Sequence, residues 1–216
     1  MNMKSFFSLL LAGLVSAAPA VTPVERGLAS VEARDNSIEA RQATRVQFTS
    51  ITASGAGCPS GTWSTVISPG QDVGTIAFNQ YSVVTTTSRA CTVTIRLTYP
   101  GGCTYGNFEG TTHGFALVDS GVSGSYSTSY TSTTGNNANP PNSVFSGPSW
   151  AGGNTFTKSD VAPAKVVNRS PNNAQVTVTV NTSLGLSRAN GGAITTNDIT
   201  FRITNQSRNS NWQTCV

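Results

Sequence analysis

The stretch CTVTIRLTYPGGC, residues 91–103, alternates without a break. Cys91, Val93, Ile95, Leu97 and Tyr99 fall in one phase, and Thr92, Thr94, Arg96 and Thr98 in the other. Successive side chains of a strand point to opposite faces, so this pattern specifies a strand with one buried and one wet side. Pro100-Gly101-Gly102 then supplies a turn. The same alternation returns in Val176-Thr177-Val178-Thr179-Val180 and in Ile199-Thr200-Phe201-Arg202-Ile203. The segment TIAFNQYSVV (75–84) begins in register at Ile76 and Phe78 and slips by one residue before Tyr81 and Val83. Such a slip marks a bulge or a short turn.

RVQFTSITA, TWSTVIS, HGFALVD and SYSTSY are further strand candidates, and no window of helical length carries apolar residues three and four apart. Threonine and valine favour a pleated surface, and Gly, Pro and Asn clusters punctuate the chain at short intervals. The expected fold is all-β, an antiparallel β-sandwich stapled by two disulfides, with a closed barrel as the second choice. The polar run from Gly135 to Asn142 is expected to be a mobile loop.

Three segments organise the chain. Lys4 followed by SFFSLLLAGLVSA (5–17) and Ala18-Pro19-Ala20 has the layout of a signal peptide over residues 1–20. At about 1.5 Å per residue the apolar run reaches roughly 20 Å, short of the roughly 30 Å of a bilayer core, so no membrane span is expected. Residues 21–41 hold four of the nine acids and the repeat VEAR, IEAR, each copy ending in arginine. They are read as a propeptide or a flexible linker. Residues 42–216 then form a single secreted β-sandwich domain. The C-terminal NSNWQTCV lacks the apolar tail of a glycolipid anchor, so attachment to a wall is expected to be noncovalent or through linked sugars.

Charged residues make up only 10% of the chain, and the basic ones are scattered singly. Nucleic-acid binders cluster theirs on one face, so no nucleic acid is expected as partner. Ser, Thr, Asn, Gln and Gly must carry solubility, which suits an extracellular surface. Asn181 (NTS), Asn205 (NQS) and Asn168 (NRS, followed by Pro171) are N-glycosylation acceptors, and 125–134 offers sites for O-linked sugars.

The four cysteines, Cys58, Cys91, Cys103 and Cys215, allow three connectivities. The expected pairs are Cys58–Cys91 and Cys103–Cys215. No CxxC spacing occurs and His113 is the single histidine, so no metal is expected, and no cofactor motif is present.

The segments GCPSGT (57–62), TIAFNQY (75–81), CTVTIRLTYPGG (91–102), HGFALVDSGVSG (113–124), FSGP (145–148) and NWQTC (211–215) together resemble the landmarks of a group of small secreted fungal proteins. This is the domain-of-unknown-function family 4360. The resemblance spans nearly all of residues 46–216 and implies a secreted, β-rich protein with no assigned catalytic residues to carry over. Family members place the partner of the last cysteine near the positions of Asn168–Asn173, where this chain has none and Cys103 stands instead.

Candidate chemistry is sparse. Glu109, His113 and Asp119 lie close in sequence, and two carboxylates flanking a bond is the geometry of glycoside hydrolysis. Six strand residues separate His113 from Asp119 by about 20 Å, so those two do not cooperate. Glu109 and Asp119 meet only if the chain folds back between them. Asp72, Asp160 and Asp198 sit singly near turn sequences. Trp150, in SGPSWAGGN, is the candidate sugar-binding aromatic, with Trp63, Tyr126 and Tyr130 read as core.

The leading expectation is therefore a non-catalytic extracellular protein that binds wall polysaccharide or a surface protein. A small hydrolase using Glu109 and Asp119 and a host-directed interaction protein are the alternatives. If Arg41 is the processing site, the secreted protein begins at Gln42. N-terminal mass analysis is then expected to find pyroglutamate at that residue, and a start at residue 21 would leave the 21–41 segment a retained linker.

Overall fold

The computed structural model describes residues 45–135, 137–170 and 172–209, with the side chains at 103, 161–170, 205, 208 and 209 outside that description. In chain order the strands are β1 (Gln47–Ser54), β2 (Trp63–Ile67), β3 (Val73–Phe78), β4 (Ser82–Val83), β5 (Ser88–Tyr99) and β6 (Gly102–Val118). There follow β7 (Ser123–Ser132), β8 (Asn137–Ala138), β9 (Ser143–Ser146), the single helical turn α1 (Pro148–Ala151), β10 (Asn154–Ser170), β11 (Ala174–Leu186) and β12 (Gly192–Asn209).

They form two antiparallel sheets. One runs β1-β5-β11-β7-β8 with β9 also on β7; the other runs β10-β6-β12-β3-β2 with β4 on β12. The expected all-β sandwich is observed. Among the described residues no helix is long and apolar enough to cross a membrane.

The buried phase of each strand meets the buried phase of the opposite sheet. Phe48 of β1 lies 6.3 Å from Phe108 of β6 between ring centroids, Phe108 lies 6.1 Å from Tyr130 of β7, and Phe108 stacks on Phe201 of β12 at 5.5 Å. Tyr126 of β7 meets Phe156 of β10 at 5.7 Å. Ring pairs of this kind add about 0.5–1.5 kcal/mol each to the gain from burial. The sheets approach closely enough that Gly110 admits no side chain, since a Cβ there would stand 2.6 Å from the Tyr130 hydroxyl.

The slip read in 75–84 is a turn between β3 and β4, with Asn79 N–H donating to Thr62 O at 2.9 Å and Ser82 N–H to Gln80 O at 2.9 Å. The 135–142 run is not wholly a loop. Its β8 pairs Ala138 with Tyr130 and Asn137 with Thr131. Asp160, expected near a turn, instead lies within β10 and is buried, because the TFTKSD alternation extends the strand through it. The ladder to β6 shifts register only after Asp160, between it and Ala164.

Cys58 and Cys91 form the expected disulfide, with Cα atoms 5.5 Å apart. It ties the β1–β2 connection to β5 at a tightly built corner. Gly57 N–H donates to Ala90 O at 2.8 Å. Any Cβ on Gly57 would stand 2.4 Å from the Tyr81 ring. Thr182 gives its hydroxyl proton to Cys91 O at 3.1 Å and so accepts from Tyr81 Oη at 2.9 Å. Burial pushes the Tyr81 phenol well above its ordinary range, so it stays a donor.

The expected 1–20 signal peptide, the 21–41 segment and Cys215 lie outside the described residues, as do the side chains of Cys103, Asn168 and Asn205.

Closing a loop of 33 residues is worth about 4 kcal/mol in the chain-entropy model. Replacing Cys58 and Cys91 together by alanine is expected to lower the melting temperature by roughly 10 °C. Gly57→Ala, which displaces the Tyr81 ring, is expected to cost about 1–3 kcal/mol by thermal or denaturant unfolding with the disulfide intact.

Candidate functional site

The polar phase of the first sheet forms its outer face. Register places Thr52, Thr94, Thr179 and Thr131 in one row across β1, β5, β11 and β7. The adjacent row is Ser54, Thr92, Asn181 and Ser129, and the next is Ala90, Ser183 and Ser127. These rows bear hydroxyls and one amide and no charge. Thr92 Oγ1 donates to Asn181 Oδ1 at 3.0 Å, which fixes the amide orientation.

A groove of about 310 Å³ lies over the second and third rows. Ser127, Ser129, Asn181 and Ser183 form its floor beside Ala90, and Asn139 and Asn142 of the β8–β9 connection form its wall. Pro140 and Pro141 between those asparagines hold φ fixed, so the wall is stiff. Every polar group named here is neutral at any physiological pH. Together they present donors and acceptors in the mixed pattern that vicinal hydroxyls match.

The outer face of the other sheet carries His113, Asp198 and Glu109, each held by a side chain across the adjoining strand, while Asp119 and Asp72 lie in turns. His113 Nδ1 and Asp198 Oδ1 are 2.8 Å apart across β6 and β12. Glu109 accepts from Thr204 Oγ1 at 2.5 Å. Asp119 lies in the β6–β7 turn, where its N–H donates to Gly191 O at 2.9 Å and its carbonyl accepts from Val122 N–H at 3.0 Å. Asp72 accepts from Ser68 Oγ at 2.8 Å in another turn.

The structure does not bring Glu109 and Asp119 together. β6 runs unbroken from Gly102 through Val118, and ten residues of strand hold the two carboxylates about 30 Å apart. The required fold-back is missing because Gly110-Thr111-Thr112-His113-Gly114 keeps the strand alternation and pairs on both sides, with β10 and with β12. Among the described residues no three His, Cys, Asp or Glu side chains converge on a cation site.

Trp150 sits in α1, half-buried, with its ring edge-on to Phe145 at 4.8 Å; Phe145 in turn lies 4.8 Å from Phe156. The tryptophan thus caps the aromatic core at the edge between β9 and β10, away from the groove. Tyr126 and Tyr130 are fully buried, as expected of core residues, and Trp63 packs half-buried against the core.

Sequence reasoning missed the groove and found one of its members, Asn181, only as a sequon. The signal present was the uncharged polar phase of SGSYSTSYTS and AQVTVTVNTS. What it lacked was the pairing of β7 with β11, two segments far apart in the chain.

An "Uncharacterized secreted protein" of Arthroderma benhamiae is 36% identical over 93 residues, which cover 40% of this chain and 38% of that protein. The match therefore spans well under half of either length. Like that relative, this chain is a secreted protein.

Among solved structures, TmCBM61 in complex with β-1,4-galactotriose is similar at 14% identity and a TM-score of 0.30, over 76% of this chain and 91% of that one. The enzymatically active domain of bacteriophage CBA120 tailspike protein 4 is similar at 16% identity and a TM-score of 0.28, over 71% of this chain and 19% of that one. The family model for the domain of unknown function DUF4360 matches residues 44–215, which take in every described residue of the sandwich, and the chain belongs to that family.

Proposed function

We propose that this secreted protein binds a neutral polysaccharide of a cell wall through the groove on the outer face of the first sheet, without cleaving it. The observation that carries the reading is the groove's chemistry. Ser127, Ser129, Ser183, Asn139, Asn142 and Asn181 offer hydroxyl and amide groups in a concave site that has no charge. An anionic polymer would want Lys or Arg there, and a protein partner would want a larger apolar patch. Glu109 and Asp119, about 30 Å apart along one strand, do not form the paired carboxylates of a hydrolase.

The binding is weak by construction. Among the described residues no aromatic ring lines the groove, so hydrogen bonds act there without stacking. A handful of them, each worth about 0.5–1.5 kcal/mol net, gives on the order of 4 kcal/mol, a Kd near a millimolar. Retention on an insoluble polymer then depends on many repeated sites along the chain. Asn181 stands in the groove and within a sequon, so an N-glycan on it and a bound polymer exclude one another. The Cys103–Cys215 bridge, the removal of residues 1–41 and the use of the Asn168 and Asn205 sequons belong to the same proposal of an extracellular domain.

Purified protein incubated with insoluble β-glucan, chitin and mannan is expected to be depleted from solution by at least one of them, with no reducing sugar released. Ser127→Trp, which fills the groove, should abolish depletion, and Asn181→Ala should weaken it about fivefold, the equivalent of one net hydrogen bond. Protein recovered from the polymer should lack a glycan on Asn181. Trp150→Ala should leave depletion within about twofold while lowering stability through the lost Phe145 contact. Loss on Trp150→Ala with the groove variants unaffected would move the site to α1, and release of sugar would overturn the non-catalytic reading.

A further inference from the structure

The interior of the sandwich holds a group of polar side chains that the groove does not use. Lys158 and Asp160 occupy alternate positions of β10 and point into the core, with their side chains 7% and 3% exposed. Lys158 Nζ contacts Asp160 Oδ1 directly. It also donates to Thr128 Oγ1 at 2.9 Å, and Thr128 Oγ1 in turn donates to Asp160 Oδ2 at 2.7 Å. Tyr130 Oη donates to the same Oδ2 at 2.8 Å.

Amine, hydroxyl and carboxyl thus close a ring of hydrogen bonds. Burial, with the Asp160 carboxylate next to it, pushes the Tyr130 phenol far above its ordinary range and keeps it a donor. The surroundings are aromatic: Phe108 packs against Tyr130, and Phe156 precedes Lys158 on the same face of β10.

A desolvated ion pair is an expensive occupant for such a site. Moving one proton from the ammonium to the carboxylate along the ring gives a neutral amine facing a neutral carboxylic acid, whose burial costs far less. That is also the reactive pair for amide formation. We propose that Lys158 and Asp160 condense spontaneously into an intramolecular amide, with Thr128 as the proton relay.

Lys158 Nζ attacks Asp160 Cγ and forms the C–N bond. The amine proton passes to Thr128 Oγ1, which hands its own proton to Oδ2. The Cγ–Oδ2 bond then breaks, and Oδ2 leaves as water carrying both its protons. Oδ1 remains as the amide carbonyl. No oxidant, metal or cofactor enters the balance. Tyr130 steadies the departing oxygen through its hydrogen bond to Oδ2. Because the ring spans a single intervening residue, Ser159, it constrains the unfolded chain very little. Its effect is to replace two buried charges by one neutral amide.

Tryptic digestion of the denatured, reduced protein tests this directly, since Lys158 is the first trypsin site after Arg96. The proposal predicts a peptide spanning residues 97–165, uncut after Lys158 and lighter than its sequence by one water. Fragmentation should place the loss between Lys158 and Asp160.

Lys158→Met, which keeps the aliphatic stem, should show the full sequence mass. Thr128→Val should slow or prevent the loss while the fold, followed by circular dichroism and melting temperature, persists. Cleavage after Lys158 of the unsubstituted protein, giving peptides 97–158 and 159–165 at their sequence masses, would identify an ordinary ion pair and overturn the proposal. A link that forms equally in Thr128→Val would overturn the relay.

Discussion

The sandwich rests on one contact between its sheets, the meeting of Phe48 and Tyr130 from one side with Phe108 and Phe201 from the other. Once that column of rings is placed, the phase of β1, β6, β7 and β12 is fixed, because a shift of one residue would turn each buried set outward. The Tyr130 hydroxyl then has to find a partner away from water. It reaches across the bare backbone of Gly110 toward β10, and Asp160 meets it there. A carboxylate so deeply buried needs compensation, which Lys158 and Thr128 supply. A demand for aromatic packing thereby propagates into a polar cluster within the core.

The same alternation makes the two outer faces. With apolar residues committed inward, the outward residues of β5, β7 and β11 are mostly Ser and Thr, and the groove inherits their chemistry. The outer face of the second sheet received Glu109, His113 and Asp198, each satisfied by a neighbour across a strand, and Asp72 and Asp119 fell in turns. The proposal of recognition without cleavage rests on that neutral groove and on the strand that separates Glu109 from Asp119. The disulfide contributes differently. It lies at the corner where Gly57, Tyr81 and Thr182 interlock, and holds the long β1–β2 excursion against the end of β5.

Much of this architecture was legible in the residues. Val93-Thr94-Ile95 declared a half-buried strand, the slip after Phe78 marked a bulge or a short turn where the β3–β4 turn lies, and Cys91 in phase with Val93 declared an inward sulfur. Elements that depend on distant partners were not. Asn137 and Ala138 look like loop sequence and pair only because β7 presents an open edge to them. Asp160 resembled a turn residue because nothing nearby announces Thr128 and Tyr130. Glu109 and Asp119 suggested a catalytic pair by proximity in sequence, which an extended strand converts into distance. Local periodicity reports faces. It does not report which faces become neighbours.

The claim on which the functional account stands is that a neutral glycan occupies the groove over β7 and β11. Titrating isotope-labelled protein with a soluble, neutral β-glucan oligosaccharide while following backbone amide shifts tests it most directly. The account predicts saturable shifts concentrated at Ser127, Ser129, Asn181 and Ser183 and at Asn139 and Asn142, developing in the millimolar range. Shifts confined to α1 or to the His113 and Asp198 face, or none at saturating ligand for any neutral glycan tried, would contradict it.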